Sequence, residues 1–328
     1  MSVKKQVLAT FENNKGKYLS GAEIAEQLSV SRNAVWKAVK SLQDEGYNIE
    51  AVTNKGYCLS EDTDILSSQS IGKYLPPEFA HYQIQVHKVV DSTNNLLRQL
   101  SQEGAPEGTV VIAENQTAGK GRLSRRFFTQ TGTGTYMSIL LRPKITATEA
   151  LFITTSAAVA VCQAIEAVSE HQASIKWVND IFVNQKKICG ILTEASFDLE
   201  SHNLEYAVLG IGINVKPPQG GFPPEVKDVA TSLLTEDDAN QAIRSKLVAE
   251  VLKNFWRYYI GITDKAFLRE YQRRSFLTGS YVWVLEGDKQ RKALVLGVTD
   301  ECELQVKFDD NQSVDNLSTG EVSIKPIF

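Results

Sequence analysis

The sequence has little of what would mark a secreted, metal-bound or membrane-spanning protein. Its 328 residues include four cysteines, Cys58, Cys162, Cys189 and Cys302, far apart and forming no Cys-x-x-Cys pair. That spacing indicates neither a zinc ribbon nor a disulfide framework. Free thiols suit a reducing compartment, so a cytoplasmic location is expected. Lys4 and Lys5 open the chain, but Glu12 interrupts the first apolar stretch too early for a secretory signal. No apolar run is read as approaching the 18 or more residues of a span, so no membrane partner is expected. Bulk positive charge is also missing, since 35 Lys and Arg against 39 Asp and Glu give a net charge of −4. Residues 1–60 carry eight basic and six acidic side chains (+2), which leaves 27 against 33 (−6) for the rest. Nucleic-acid binding would therefore need a local N-terminal patch. Two phosphate signatures fail too. Gly119-Lys120 is followed by Gly121 where a Walker loop needs Ser or Thr, and no helix opens directly after Gly210-Ile211-Gly212.

What is present points to two or three domains with a substantial core. Hydrophobic residues make up 42% and charged residues 23%, which is ordinary for a soluble globular protein. Residues 3–13 read as a helix with Val7, Leu8 and Phe11 on one face. Ser20 and Glu23 form a possible capping box for a short second helix bearing Ile24, Ala25 and Leu28. Ser31 can cap a third helix over 32–45, where Val35, Val39 and Leu42 form the core stripe. Ser31, Arg32, Asn33, Trp36, Lys37 and Lys40 fall outside that stripe. A two-strand pattern around Asn54-Lys55-Gly56 follows. The arrangement predicts a winged helix-turn-helix that sets its third helix in the major groove. A plain packing domain with solvated charges is the alternative. One such domain makes few phosphate contacts, so useful affinity calls for a dimer on two half-sites. The polar stretch 61–75, ended by Pro76-Pro77, reads as a linker between a unit at 1–62 and a central one at 63–276.

In the central unit, residues 83–90 alternate as a half-buried strand and lead into Asp91-Ser92-Thr93-Asn94. Those residues read as a helix cap or as a polar corner of a pocket. Residues 114–136, between apolar runs at 109–113 and 136–141, carry four glycines and four basic residues. A connection of this length is usually functional or disordered. Glycines admit close approach of a ligand, and Lys and Arg offer charge to phosphate or carboxylate, so a mobile anion-binding loop is expected beside the plainer reading of a solvated basic loop. A long Ala- and Val-rich helix is expected at 147–169, then Lys176-Trp177-Val178-Asn179-Asp180. Next comes a strand at 187–194 in which Lys187 is either a solvated edge residue or a charge aimed into a cleft. Gly190 inside that strand suggests a close neighbour. Gly210, Gly212 and Asn214 share one face of the strand at 206–215. Helices are expected at 239–259 and 264–275. From 277 the pattern changes to short strands at 281–285, 292–299, 304–308 and 323–327, as in a small antiparallel barrel.

Taken together these residues resemble the bifunctional biotin protein ligases that also act as biotin operon repressors. The resemblance rests on the winged helix, Asp91-Ser92-Thr93-Asn94, the run Gln116-Thr117-Ala118-Gly119-Lys120-Gly121-Arg122, Lys176–Asp180, Lys187-x-Cys189-Gly190, Gly210–Asn214 and Ala230-Thr231-Ser232. It implies an α+β fold: a winged helix-turn-helix, a mixed-sheet domain like class II synthetases, and a small SH3-like barrel at 277–328. It implies ATP and biotin as substrates with Mg²⁺, and a biotinyl-5′-adenylate passed to a lysine of a biotin carboxyl carrier protein. It also implies operator DNA as a partner and a homodimer when the adenylate is bound. Carried over residue by residue, the catalytic set is Arg122, Lys187 and Asp180. Biotin would meet Ser92, Thr93, Asn94, Gln116, Gly119, Lys120, Gly121, Arg122, Lys187 and Gly190. The nucleotide would meet Arg122, Arg125, Phe127, Asn179, Lys187 and Asn214. No protein-held metal is implied. Lys120 stands where the family often has Arg, Phe127 where it often has Trp, and Val178 where proline is common, which loosens the turn before Asn179. A repressor that senses biotin without ligating it, and a lipoate ligase, are the competing readings. Retained Arg122 and Lys187 argue against the first, and the winged helix with Ser92, Thr93 and Gln116 against the second.

Overall fold

The computed structural model describes all residues except 123–125, 198–203, 239–240, 287–288, 319–321 and 327–328, and only the backbone of 286 and 322–326. The first unit follows its local signals closely. Helix α1 (Val3–Asn13), α2 (Gly21–Gln27) and α3 (Arg32–Asp44) precede a two-stranded wing, β1 (Ile49–Val52) and β2 (Gly56–Leu59). Both halves of the Ser20/Glu23 capping box form, at 3.1 and 2.9 Å. Ser31 Oγ accepts from Ala34 N at 3.1 Å and starts α3. Val7, Leu8, Phe11, Ile24, Val35, Val39 and Leu42 bury into a core of their own.

The stretch after this unit differs from a solvated linker. It contains α4 (Ser68–Gly72), and Leu66, Ser67, Ser70 and Ile71 are buried. Ile65 packs on the N-terminal core, while Leu66 belongs to the central core. Apolar residues scattered among polar ones face two neighbours at once, a pattern with no single period to read.

The central unit is built on a seven-stranded sheet. Its strands are β3 (Gln83–Val90), β4 (Thr109–Gln116), β5 (Gly134–Leu141), β6 (Ser174–Lys176), β7 (Asp180–Val183), β8 (Lys186–Phe197) and β9 (Leu204–Asn214), in spatial order β3-β4-β5-β9-β8-β7-β6. Only β3 and β4 run parallel, so the sheet is mixed. Helix α5 (Thr93–Gln102) covers one face through Leu97 over Val111, Leu140 and Val208. The opposite face lies under α6 (Leu151–Val168) and α7 (Arg244–Tyr259). Together with the turn before it, α6 (Thr148–Val168) is after all long and apolar enough to cross a membrane, but it is 67% buried and serves as the core helix. Its Thr and Ser residues interrupt the apolar run, yet Thr155 and Ser156 bond back to the helix's own carbonyls, Thr154 pairs with Thr193, and all three bury with the helix.

Helix α8 (Leu268–Arg274) leads to a five-stranded antiparallel sheet of β10 (Tyr281–Glu286), β11 (Lys289–Val298), β12 (Leu304–Phe308), β13 (Val314–Leu317) and β14 (Val322–Pro326), in order β13-β12-β11-β10-β14. Strand β13 went unread because three of its four residues are exposed and show no alternation. No ladder joins β13 to β14 among the described residues, so the sheet is open there. Its apolar face shares one continuous core with the central unit.

Candidate active site

Strands β5, β9 and β8 present two cross-strand rows toward α5: Tyr136-Gly212-Gly190 and Ser138-Gly210-Leu192. The glycines exist for close approach. A Cβ on Gly210 would stand 2.3 Å from Asn94 Oδ1, and one on Gly212 would stand 2.7 Å from the Phe127 ring. Over these rows opens a cavity of 680 Å³.

Its first wall comes from α5. Ser92 precedes the helix but makes no capping bond. The cap comes from Gln116, whose Oε1 accepts from Thr93 N at 2.8 Å and Thr93 Oγ1 at 3.2 Å. Ser138 Oγ donates to Thr93 Oγ1 at 2.7 Å and to Asn94 Oδ1 at 2.6 Å, and Asn94 Nδ2 donates to Glu194 at 2.7 Å. Thus Ser92, Thr93 and Asn94 form the pocket corner, and the cap expected from Ser92 or Thr93 comes from Gln116 instead.

The second wall is the loop 117–133. Its described ends are bonded to their neighbours. Thr117 N and Ala118 N donate to Val90 O and Asp91 O, and Phe127 N donates to Gly119 O at 3.0 Å. A Cβ on Gly119 would meet Phe127 O at 2.8 Å, so Gly119 closes this turn and does not line the cavity. Lys120 Nζ donates to Asn95 Oδ1 at 2.6 Å. The Phe127 ring lies over Gly190 and Gly212 and meets Tyr136 edge-on. Arg125 lies outside the described residues.

The third wall carries the charges. Between β7 and β8 the pairing shifts, Cys189 opposing Ile181 and Lys187 opposing Phe182, so Ile188 is the extra residue of a bulge. Lys187 and Gly190, three apart, would face opposite sides in a regular strand; the bulge turns Lys187 to the side of Gly190 and of Asp180, its cross-strand partner. Lys187 Nζ lies 2.6 Å from Asp180 Oδ1. Arg122 donates to Asn179 Oδ1 at 3.3 Å, and Asn179 Nδ2 donates to Ile191 O at 2.6 Å. The turn expected to be loosened by Val178 is instead pinned from outside, by Trp177 Nε1 on Cys302 O and Tyr271 OH on Val178 O, each at 2.9 Å.

Asn214 donates to Thr231 O at 3.1 Å, and the backbone near Lys187 bonds to Val229 and Thr231, so residues 226–231 form the remaining rim. Lining cations are Lys120, Arg122, Arg126, Lys176 and Lys187 and lining carboxylates are Asp180, Glu225 and Asp228, a local +2 in a chain of −4. Such a lining favours a polyanion. Burial pushes the Cys189 thiol well up, so it stays protonated and is no nucleophile. A hollow of 720 Å³ behind the loop, with Asn115, Gln130 and Glu236, holds neither Arg122 nor Lys187.

Residues 86–214 match the biotin/lipoate A/B protein ligase family, and residues 3–58 match a helix-turn-helix domain. Over 98% of its length the chain is 36% identical to the bifunctional ligase/repressor BirA of Bacillus subtilis (strain 168), with 99% of that protein covered. The chain belongs to this biotin protein ligase family. It is a biotin protein ligase with a helix-turn-helix repressor domain. The corresponding BirA of Bacillus spizizenii is 37% identical, with 86% of this chain and 83% of the relative covered. Among solved structures, the biotin protein ligase from Aquifex aeolicus in complex with biotin and ATP superposes with a TM-score of 0.62 at 27% identity, covering 75% of this chain and 99% of that one.

In the ligase the structure gathers Ser92, Thr93, Asn94, Gln116, Lys120, Gly121, Arg122, Phe127, Asn179, Asp180, Lys187, Gly190 and Asn214 around one cavity. Sequence reasoning missed Arg126, Phe128, Trp177 and Phe222, which also line it. Phe128 and Phe222 meet edge-on at 6.4 Å, joining the loop to the proline-rich crossing. Nothing in their local pattern marks them. The six residues expected to face DNA, Ser31, Arg32, Asn33, Trp36, Lys37 and Lys40, are all exposed on α3 or at its cap, Trp36 by 52%.

Proposed function

We propose that this cavity joins biotin to ATP as biotinyl-5′-adenylate and passes the acyl group to a lysine of a biotin carboxyl carrier protein. The observation that carries this reading is the meeting of Arg122 and Lys187 on the Asn179–Asp180 turn beside a glycine floor. The carboxylate oxygen of biotin attacks the α-phosphate and pyrophosphate leaves. Two anions must approach, so fixed cations near the α-phosphate lower the barrier. Lys187 is the group over the transferring phosphoryl, and Asp180 orients it. Arg122 bridges carboxylate and phosphate. Thr93, Asn94 and Gln116 read the ureido end of biotin, and Phe127 covers the ligand from above. Mg²⁺ on the triphosphate would add charge neutralisation there. In the second step a neutral lysine amine attacks the acyl carbon, the C–O bond to AMP breaks, and the proton the amine loses passes to Asp180 as base or to solvent.

For repression, α3 enters the major groove of an operator, and the adenylate-bound protein pairs as a homodimer, because one recognition helix makes few phosphate contacts. The C-terminal sheet, bent by its bulge between Val295 and Gly297, is read as a barrel-like cap on the Trp177–Asn179 turn. Four buried free thiols fit a cytoplasmic setting.

The deciding experiment incubates the full chain with biotin, Mg-ATP and a biotin carboxyl carrier domain. Biotin on the carrier lysine is expected; adenylate without transfer, or neither product, would overturn the reading.

A further inference from the structure

Arg244, the first residue of α7, is 3% exposed, and its guanidinium uses all five N–H groups. Nη1 donates to Glu114 Oε2 at 2.6 Å and to Gly134 O at 3.2 Å. Nη2 donates to Glu114 Oε1 at 3.4 Å and to Asp64 O, and Nε donates to Asp64 Oδ2 at 2.8 Å. Glu114 lies two residues before the loop 117–133 leaves β4, and Gly134 is where the chain rejoins β5. One planar fork therefore holds both roots of the loop carrying Lys120, Arg122 and Phe127. The same fork holds Asp64, in the segment between the DNA-binding unit and the sheet. Lys216, just past β9, completes the set at 2.7 Å from Asp64. Two cations and two carboxylates balance, which suits a buried network.

Asp64 is tied onward to the DNA-binding unit. Lys15 Nζ donates to Thr63 O at 2.5 Å and lies 3.7 Å from Glu12. Lys73 of the same segment pairs with the buried Glu12 at 2.9 Å. Leu66 N donates to Glu114 Oε1 at 3.3 Å, so the segment also reaches the loop root directly.

We propose that Arg244 is a positioning residue for adenylate formation, and that through Asp64 it couples the order of the substrate loop to the joint carrying the DNA-binding unit. None of these groups touches the cavity, so their effect on the reaction passes through the loop roots. Ligand that fixes the loop fixes Glu114 and Gly134, hence Arg244, hence Asp64. By linkage, whatever immobilises the joint also favours the loop's ligand-bound arrangement. The proposal rests on the adenylation reading of the cavity.

Arg244→Ala would strand two half-buried carboxylates, so Asp64→Asn and Glu114→Gln carry the test in the full chain, with Asp64→Glu as the conservative control. The first readout is adenylate formation against ATP and biotin concentration. The half-saturating concentrations are expected to rise about tenfold in both variants, with the saturated rate within about threefold of the parent, and Asp64→Glu should recover part of the shift. The second readout is hydrogen exchange with and without biotin plus ATP. In the parent, ligand should slow exchange at 117–133 and also at 61–75; in Asp64→Asn the slowing at 61–75 should vanish while that at 117–133 remains. Unchanged half-saturation in both variants overturns the proposal, as does a parent joint indifferent to ligand. A uniform loss of rate that follows a lowered melting temperature also overturns it, since that is a structural role only. A parent chain forming no adenylate sinks the ligase reading instead, and the exchange experiment still decides the clamp.

Discussion

The helix-turn-helix unit and the candidate ligand cavity are built on opposite principles. In the first, each helix is opened by a neighbour in sequence: Ser2, Ser20 and Ser31 cap the three helices, each by a bond to the residue three positions on. Its core is its own. In the second, the cap of α5 comes from Gln116, 23 residues away, and the turn bearing Asn179 is pinned by Cys302 and Tyr271, about a hundred residues on. A local design tolerates damage locally. A design assembled from distant segments concentrates function in a few contacts, and small changes there cost more.

The largest expected break in this contrast is Lys187→Ala. Removing one charge over the transferring group should slow single-turnover adenylate formation by about 10²–10³, the effect of losing one oxyanion donor. An unchanged rate would remove Lys187 from the reaction. Next comes Gly210→Ala, whose methyl group would stand 2.3 Å from Asn94 Oδ1 and force apart the Asn94–Ser138 contact. Overpacking of this kind costs about 1–3 kcal/mol, and borne by the ligand-bound wall it should lower biotin affinity by calorimetry roughly 5- to 150-fold. Normal affinity would show that Asn94 does not shape the biotin wall.

Smaller effects belong to the local unit. Ser20→Ala removes one half of a capping box and should lower stability in denaturant unfolding by about 1 kcal/mol while leaving ligation intact. Lys37→Ala should weaken operator binding and reduce its salt slope by about 1, again without loss of ligation. Loss of both activities would show that the two units are not separable in this way.

The smallest effect is on acid stability. The Arg274 guanidinium holds the Glu166 carboxyl below the usual carboxylate range, tying α8 to α6. A depressed folded pKa adds stability above the unfolded value, and that stability is lost as pH falls through the folded one. Glu166→Gln should therefore flatten the decline in melting temperature below about pH 4.5 and lower it slightly at neutral pH. An unchanged acid limb would mean that the pair contributes nothing.

Much of the fold was legible. Strand β3 and helix α1 have the expected bounds, because each carries a clean period and a clear stop. The pocket's composition was legible too, since Lys187, Gly190, Gly210, Gly212 and Asn214 break the apolar pattern of buried strands. The joint at 61–75 was not, because its residues face two cores in turn and show no period. Strand β13 escaped for want of alternation, and the span-like length of α6, though not the helix itself, for its buried hydroxyls.

By itself the sequence determined where helices begin, which faces are apolar and which residues have no reason to be apolar. Those are consequences of bonds and periods within a few residues of one another. Only the tertiary structure decided that a bulge at Ile188 turns Lys187 toward Gly190, that Gln116 caps α5, and that Arg244 gathers Asp64, Glu114 and Gly134. Each depends on the register between segments far apart in the chain, and register is set by packing and pairing that no local pattern records.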